Sequence, residues 1–274
     1  MHVGVKLALT IGAEAADLAR TAEELGYHSV WLSERVAVPV DQPHPYEPSI
    51  DPWIGLAFIA AATKRVVLST TVSQIALRDP VLMARELATL DILSQGRMIV
   101  GAGAGWVTAE FAATSVSFET RGGRLGEFVR LLRKLWTAPE EGWEGKHFRV
   151  PGVKLVRPYT PGGPKIFMGA ATAPGLRRAA KLGDGLLMGS LPLAGVIAAR
   201  ETVLGRRREL GLDGLFPVYA QVEPPETIEA AREIAKSYRE AGIDGIILSE
   251  RLARESGFPK DADVSRALIE TAAG

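Results

Sequence analysis

Strand-like and helix-like stretches alternate along this chain, and the alternation repeats eight times without a linker or a shift in composition. HVGVKLAL (2–9) is β-type. Residues 13–25 then put Ala15, Leu18, Ala19, Ala22 and Leu25 on one helical face, with Gly26 where a C-cap belongs. SVWLS (29–33) is the second strand, followed by a proline-rich loop (36–52), an apolar helix (53–63) and strand VVLSTTV (66–72). Asp79-Pro80 reads as an N-cap with proline at the first helical position, opening a helix to about Leu93. MIVGAG (98–103) is the fourth strand, and residues 121–136 carry Leu125, Phe128, Val129, Leu132, Leu135 and Trp136 at helical spacing. KIFMG (165–169), LLMG (186–189), VYAQV (218–222) and GIIL (245–248) are four further strands. Helical patterns follow them near 172–182, 193–210, 225–241 and 261–272.

Such alternation implies a parallel sheet, and eight units favour a closed barrel over an open doubly wound sheet. The expected fold is α/β: a single (β/α)8 TIM-barrel domain over residues 1–274. A β-hairpin at WEGKHFRVPGVKLVRP (143–158) is expected as an insertion after the fourth unit. With 47% apolar residues the chain can bury a large core. In such a barrel the active site lies at the C-terminal ends of the strands.

Composition narrows the function. Lys plus Arg and Asp plus Glu number 32 each, so no excess charge points to nucleic acid or an anionic membrane. There is no cysteine, which excludes disulfides and thiolate chemistry and leans towards the cytoplasm. The longest apolar run, residues 53–62, is too short to span a bilayer, and MHVGVKLALT has neither the basic flank nor the cleavage site of a signal peptide. His2, His28, His44 and His147 lack metal-ligand spacing, so no metal is expected.

The glycines of RMIVGAGAGW (97–106) do not make a dinucleotide turn. That fingerprint needs G-x-G-x-x-G, and the third position falls on Trp106 or Thr108; no G-x-x-x-x-G-K-[ST] loop occurs either. Gly169-Ala170-Ala171-Thr172 ends a strand in small residues, with Thr172 as an N-cap and a helix beginning near Pro174. Amides at a helix start can hold an anion without a basic residue, although a strand-to-helix turn also needs small residues for its own sake.

The stretches RTAEELGYHSVWLSERV, LATLDILSQGRMIVGAGAGW, RGGRLGEFVRLLRKLW and IFMGAATAPGLRRAAKLGDG, in this order, resemble the bacterial luciferase-like superfamily of flavin-dependent oxidoreductases. The likeness is greatest to the branch using the deazaflavin coenzyme F420. The resemblance implies an F420-dependent oxidoreductase that passes a hydride between coenzyme and a small organic substrate, and it implies a homodimer. It leaves open an FMN-dependent monooxygenase served by a partner reductase, a non-catalytic flavin-binding protein, and a phosphosugar-type barrel without flavin.

On that resemblance the coenzyme phosphate is held at Gly169, Ala170, Ala171 and Thr172. The ring lies on Ser69, Thr70, Thr71 and Val72 of the third strand and on Gly103, Ala104 and Gly105 of the fourth, with a non-prolyl cis peptide matching Thr71–Val72. Trp106 either packs on the ring edge or caps the barrel. Several deazaflavin relatives have Asp-His where this chain has Glu34-Arg35. Arg35 stays protonated, so Glu34 is the candidate proton-handling residue and Arg35 a candidate substrate contact, the other possibility being a surface pair. Glu110 is a second candidate carboxylate, expected instead on a helix surface. His44 and Tyr46 in the 36–52 loop are candidate substrate contacts. Arg206-Arg207-Arg208 could attract the coenzyme's polyglutamate tail, but the run reads better as a solvated helix face.

Overall fold

A computed structural model describes residues 1–8, 14–40, 49–249, 257–259 and 261–274. The strands are β1 (His2–Lys6), β2 (Ser29–Leu32), β3 (Val67–Thr70) and β4 (Met98–Ala102), then a short pair β5 (Trp143–Glu144) and β6 (Arg149–Val150). β7 (Lys165–Gly169), β8 (Gly185–Met188), β9 (Val218–Val222) and β10 (Gly245–Leu248) complete them. The helices are α1 (Glu14–Leu25), α2 (Pro52–Ala62), α3 (Pro80–Ser94), α4 (Thr108–Ala113), α5 (Arg121–Thr137), α6 (Ala173–Leu182), α7 (Leu193–Glu209), α8 (Ile228–Glu240) and α9 (Ala262–Ala273).

Eight strands close in the order β1-β10-β9-β8-β7-β4-β3-β2, so each lies beside its predecessor in the chain. Every barrel pairing is parallel, from His2 opposite Gly245 round to Ser69 opposite Ile99 and Ala102 opposite Met168. This is a (β/α)8 barrel with helices outside. The stretch expected as a hairpin over 143–158 holds an antiparallel pair of only two residues per strand, Trp143 opposite Val150 and Glu144 opposite Arg149; residues 151–158 form no strand.

Local signals set the element ends. Asp79 accepts from the amides of Val81 and Leu82, each at 2.9 Å, as its place before Pro80 predicts. Asp51 caps α2 through Trp53 and Ile54, and Gly26 closes α1 at a φ of +92° that a side chain would resist. α4 escapes sequence reading, because six residues carry too few turns to show a period.

Alternate strand residues point inward, and Trp31, Phe167, Leu187, Tyr219 and Ile247 fill the barrel, with Val72 and Ile99 packed on them. Such bulky rings fit because facing positions are glycine. A Cβ added at Gly185 would stand 2.7 Å from the Phe167 ring, and one at Gly245 would stand 2.7 Å from the Tyr219 ring. The larger apolar layer lies between strands and helices, around Leu56, Leu68, Leu87, Val100, Leu132 and Ile166. Among the described residues no helix is long and apolar enough to cross a membrane.

The N-terminal end of the barrel carries two stacked imidazoles, His2 and His28, with ring centroids 3.7 Å apart. Burial first, and then the neighbouring His2, push His28 from its ordinary 6.5 down to about 4. Burial, followed by the N-terminal ammonium, also lowers His2. The unfolded chain therefore binds these protons before the folded one does, and acid favours unfolding. Stability from this pair should be fully present above pH 6.5 and should fall as pH drops towards about 4. Urea midpoints across that window are expected to decline more steeply for the wild type than for His28→Gln. Parallel declines would show that His28 contributes nothing to the slope.

Candidate functional site

At the C-terminal mouth, one side chain ties three strand ends together. β3 gives way to Thr71–Val72, whose peptide bond is cis, and Ser73 then bridges to Ala102 of β4. Val72 is half-buried. A Cβ placed at Gly169, the last residue of β7, would stand 2.8 Å from Val72 Cγ1, and one at Gly103 after β4 would be closer still to Cγ2. Val72 with Gly103 and Gly169 thus makes a floor from which side chains are excluded. Ala104 and Gly105 extend it half-buried, Gly105 at a φ of +76°. Ser69 and Thr70 lie deeper than the sequence suggests. Both are fully buried, and Thr70 Oγ1 donates to the Gly101 carbonyl at 2.7 Å.

Beside this floor the turn at Ala170–Thr172 is open. Ala170 is half-buried, while Ala171 and Thr172 are exposed. Thr172 has the expected N-cap conformation, its Oγ1 accepting from the Gly175 amide at 3.4 Å. Helix-start amides have no acceptor within the helix, so those of residues 171–173 point the positive end of α6 at the mouth.

Across the barrel the floor is polar, which sequence reading missed. Thr71 Oγ1 accepts from Gln221 Nε2 of β9 at 2.9 Å, and Gln221 Oε1 accepts from Ser249, just past β10, at 3.3 Å. Lys6 of β1 stands in register with the interior Trp31 and is only 9% exposed. The mouth therefore has two arcs: glycine and valine on β3, β4 and β7, and Lys6, Gln221 and Ser249 on β1, β9 and β10.

Two buried carboxylates brace the loop after β2. Glu34, 5% exposed, accepts from Ser73 Oγ at 2.8 Å and the Gln74 amide at 2.6 Å through Oε2, while Arg78 pairs with Oε1. Arg78 also donates to Asp51 at 2.7 Å, and Trp53 Nε1 donates to Ser73 Oγ at 3.2 Å. The oxygens nominated for proton handling are thus already engaged. Glu110 is not the surface residue expected of it. It is fully buried, with Oε1 accepting from the Val36 amide at 2.9 Å and Oε2 from Gln74 Nε2 at 2.8 Å. The sequence misleads here because α4 is short and lies between the glycine run and the β2 loop, so its third residue faces inward.

Arg35 leans on this brace. Its amide donates to Ser49 Oγ at 2.9 Å, its Nη1 lies 3.8 Å from Glu110 Oε2, and its guanidinium sits 4.9 Å from the ring centre of Trp106. Trp106 is 56% exposed, so it stands at the rim and not in the core. His44 and Tyr46 fall outside the described residues. Arg206, Arg207 and Arg208 end α7 at the opposite end of the barrel from the mouth. Arg206 pairs with Glu209 at 2.7 Å, and Arg207 donates to the Ala180 carbonyl at 3.1 Å. Among the described residues no group of three or more His, Cys, Asp or Glu could hold a metal.

The brace makes a measurable demand on stability. Glu110→Ala would strand the buried Gln74 side-chain amide, worth about 1–3 kcal/mol when unsatisfied, and would free the Val36 amide to water. A loss of roughly 2 kcal/mol in urea denaturation is expected for Glu110→Ala, with a smaller loss for Glu110→Gln. Wild-type stability in Glu110→Ala would mean that the carboxylate holds nothing.

Comparison with known proteins adds the family. The sequence profile described as luciferase-like monooxygenase matches residues 9–272. An uncharacterized protein of Mycobacterium tuberculosis is 32% identical over 200 residues, covering 68% of this chain and 71% of that protein. The F420-dependent glucose-6-phosphate dehydrogenase of Kineococcus radiotolerans is 36% identical over 219 residues. That match covers 78% of this chain but 62% of the dehydrogenase, less than two thirds of its length. Among solved structures, a monooxygenase from Streptomyces bottropensis superposes with a TM-score of 0.73 at 28% identity, over 88% of this chain and 77% of that one. With the profile running almost from end to end of a barrel built in this way, the chain belongs to the luciferase-like monooxygenase family.

Proposed function

We propose that this chain is a cytoplasmic oxidoreductase, acting as one barrel domain, that uses coenzyme F420 to transfer a hydride to or from a small organic substrate. The observation carrying this reading is the side-chain-free floor, in which Val72 is packed against the glycines ending β4 and β7. A flat tricyclic ring needs close approach to backbone over an area of this kind. Identity to the F420-dependent dehydrogenase of Kineococcus radiotolerans supports the deazaflavin over FMN. The likeness to a monooxygenase from Streptomyces bottropensis keeps oxygenation of the substrate as the rival chemistry.

In this reading the amides at Ala171, Thr172 and the start of α6 hold the phosphate, and Val72, Gly103, Ala104 and Gly105 support the ring. When bound, the deazaflavin supplies the hydride chemistry, and the protein supplies position and exclusion of water. The polar arc of Lys6, Gln221 and Ser249 faces the substrate and can hydrogen-bond an oxygen that gains charge as hydride moves. Glu34 is a positioning residue, because Ser73, Gln74 and Arg78 occupy its carboxylate. Arg35 and Trp106 form the rim over which substrate enters.

Fluorescence titration with F420 and with FMN tests the assignment. F420 should bind with micromolar or tighter affinity, and Gly169→Leu, which drives a side chain into Val72, should abolish that binding while leaving the thermal melt cooperative. Tight FMN binding without F420 binding would overturn the choice. Binding without turnover of alcohols, aldehydes and sugar phosphates would favour a flavin-storing protein.

A homodimer completes the proposal. Ile54 and Phe58 of α2, and Leu82 and Leu93 of the adjacent α3, are 74%, 53%, 52% and 63% exposed. An apolar face of this extent on neighbouring helices suits a self-complementary contact. Sedimentation should find a dimer that Phe58→Asp dissociates. A monomeric wild type would refute it.

A further inference from the structure

A cleft of about 500 Å³ opens between the start of α3 and the start of α5, beside the turn at Ile75–Leu77. Its lining comes from three places. Arg78 and Asp79 lead into α3, Arg124 of α5 lies with Phe148, and the link from α4 to α5 supplies Thr114, Ser115 and Ser117. Val72, Gly103, Gly169 and Thr172 do not border it, so the cleft is separate from the mouth. Arg78 joins the two, because its Nη2 pairs with Glu34 and Asp51 of the brace.

Arg124 is built into the cleft wall. Its Nε donates to the Ala76 carbonyl at 2.7 Å, and its guanidinium carbon lies 4.3 Å from the Phe148 ring centre. The plane of the group is therefore fixed from two sides, while among the described residues its Nη atoms meet no carboxylate. Burial lowers its pKa, and Glu127 offsets this only in part, its oxygens being spent on the amides of Lys146, His147 and Phe148. Arg78 keeps its Nε buried without an acceptor. A buried donor left unsatisfied is costly, so it calls for an explanation. The acids at hand do not answer it. Asp79 commits Oδ1 to the amides of Val81 and Leu82, and Glu119 is exposed and takes the Ser117 hydroxyl. Thr114 and Thr120 donate to the Glu110 and Ser117 carbonyls, which leaves Ser115 as the hydroxyl free to donate into the cleft.

We propose that this cleft binds a phosphate dianion, free or as the head of a small phosphate ester, on Arg124, Arg78 and Ser115. A guanidinium already held in one plane presents a fork of donors to an oxyanion and loses little freedom when it binds. The donors come from α5, from the residue before Asp79 and from the α4–α5 link. A tetrahedral anion with oxygens on every side suits that arrangement better than a planar carboxylate does. A volume of about 500 Å³ falls among those of small-molecule sites, which leaves room beyond the phosphate for the organic part of an ester. The site stands independently of the deazaflavin reading.

Isothermal titration of the purified protein with inorganic phosphate, glycerol phosphate and acetate tests the site. Both phosphates should bind with submillimolar affinity, and acetate should bind far more weakly. Arg124→Gln and, separately, Ser115→Asp should each weaken phosphate binding about tenfold, the effect of losing or opposing one charged hydrogen bond. Ser115 is exposed at a φ of +56°, which aspartate tolerates, so Ser115→Asp adds a repelling charge without disturbing a buried side chain. Thermal melts check that both variants are folded. Tighter binding of the ester identifies a phosphorylated metabolite as the occupant, and equal affinity identifies free phosphate. Three results overturn the site: no phosphate binding, acetate binding as tight as phosphate, or undiminished binding in Ser115→Asp or in folded Arg124→Gln.

Discussion

A carboxylate removed from water must find donors within the fold, and Glu34 draws four segments together to do so. Its oxygens take the Ser73 hydroxyl, the Gln74 amide and the Arg78 guanidinium, and Arg78 reaches on to Asp51 at the start of α2. Gln74 carries the arrangement further by donating its side-chain amide to Glu110, which also receives the amide of Val36. The β2 loop, the end of β3, the cap of α2 and the short α4 are thereby fixed to one another. A network of this kind is stable only when complete, because each buried polar group depends on the next for its partner.

What the network holds in place is the rim of a barrel with two different sides. The rings of Trp31, Phe167 and Tyr219 close the interior below. Above them, Val72 and its flanking glycines leave bare backbone on one side, whereas Lys6, Gln221 and Ser249 present polar groups on the other. The hydrogen bond from Gln221 to Thr71 joins the two sides. A planar cofactor over the bare arc and an oxygen-bearing substrate over the polar arc would meet along that line. The division gives the proposed hydride transfer a direction across the barrel.

Much of this architecture was legible beforehand, and the reason can be traced residue by residue. Strand interiors such as KIFMG and VYAQV, the Asp79-Pro80 start and the Thr172 cap announce themselves within a few positions. The structure has β7 at Lys165–Gly169, β9 at Val218–Val222 and α6 beginning at Ala173. The glycine floor was also readable as small residues at strand ends. Glu110 was not, because its burial depends on the β2 loop folding over it. Glu34 was visible as a carboxylate, but the sequence did not display the Arg78 that pairs with it. Lys6, Gln221 and Ser249 gave no signal, since a polar residue near a strand end is ordinary until the strand's neighbours are known.

The chain by itself determined the repeating strand–helix unit, the parallel sheet and the helix starts, because hydrophobic period and caps act over spacings of two to four residues. Closure alone decided which groups share the mouth. Glu34 meets Gln74 across 40 positions, and Thr71 meets Gln221 across 150. Hydrogen bonds and excluded volume act at a few ångströms in space, whatever the distance along the chain. The pairing of arcs at the rim therefore exists only once the eight strands have come round to meet.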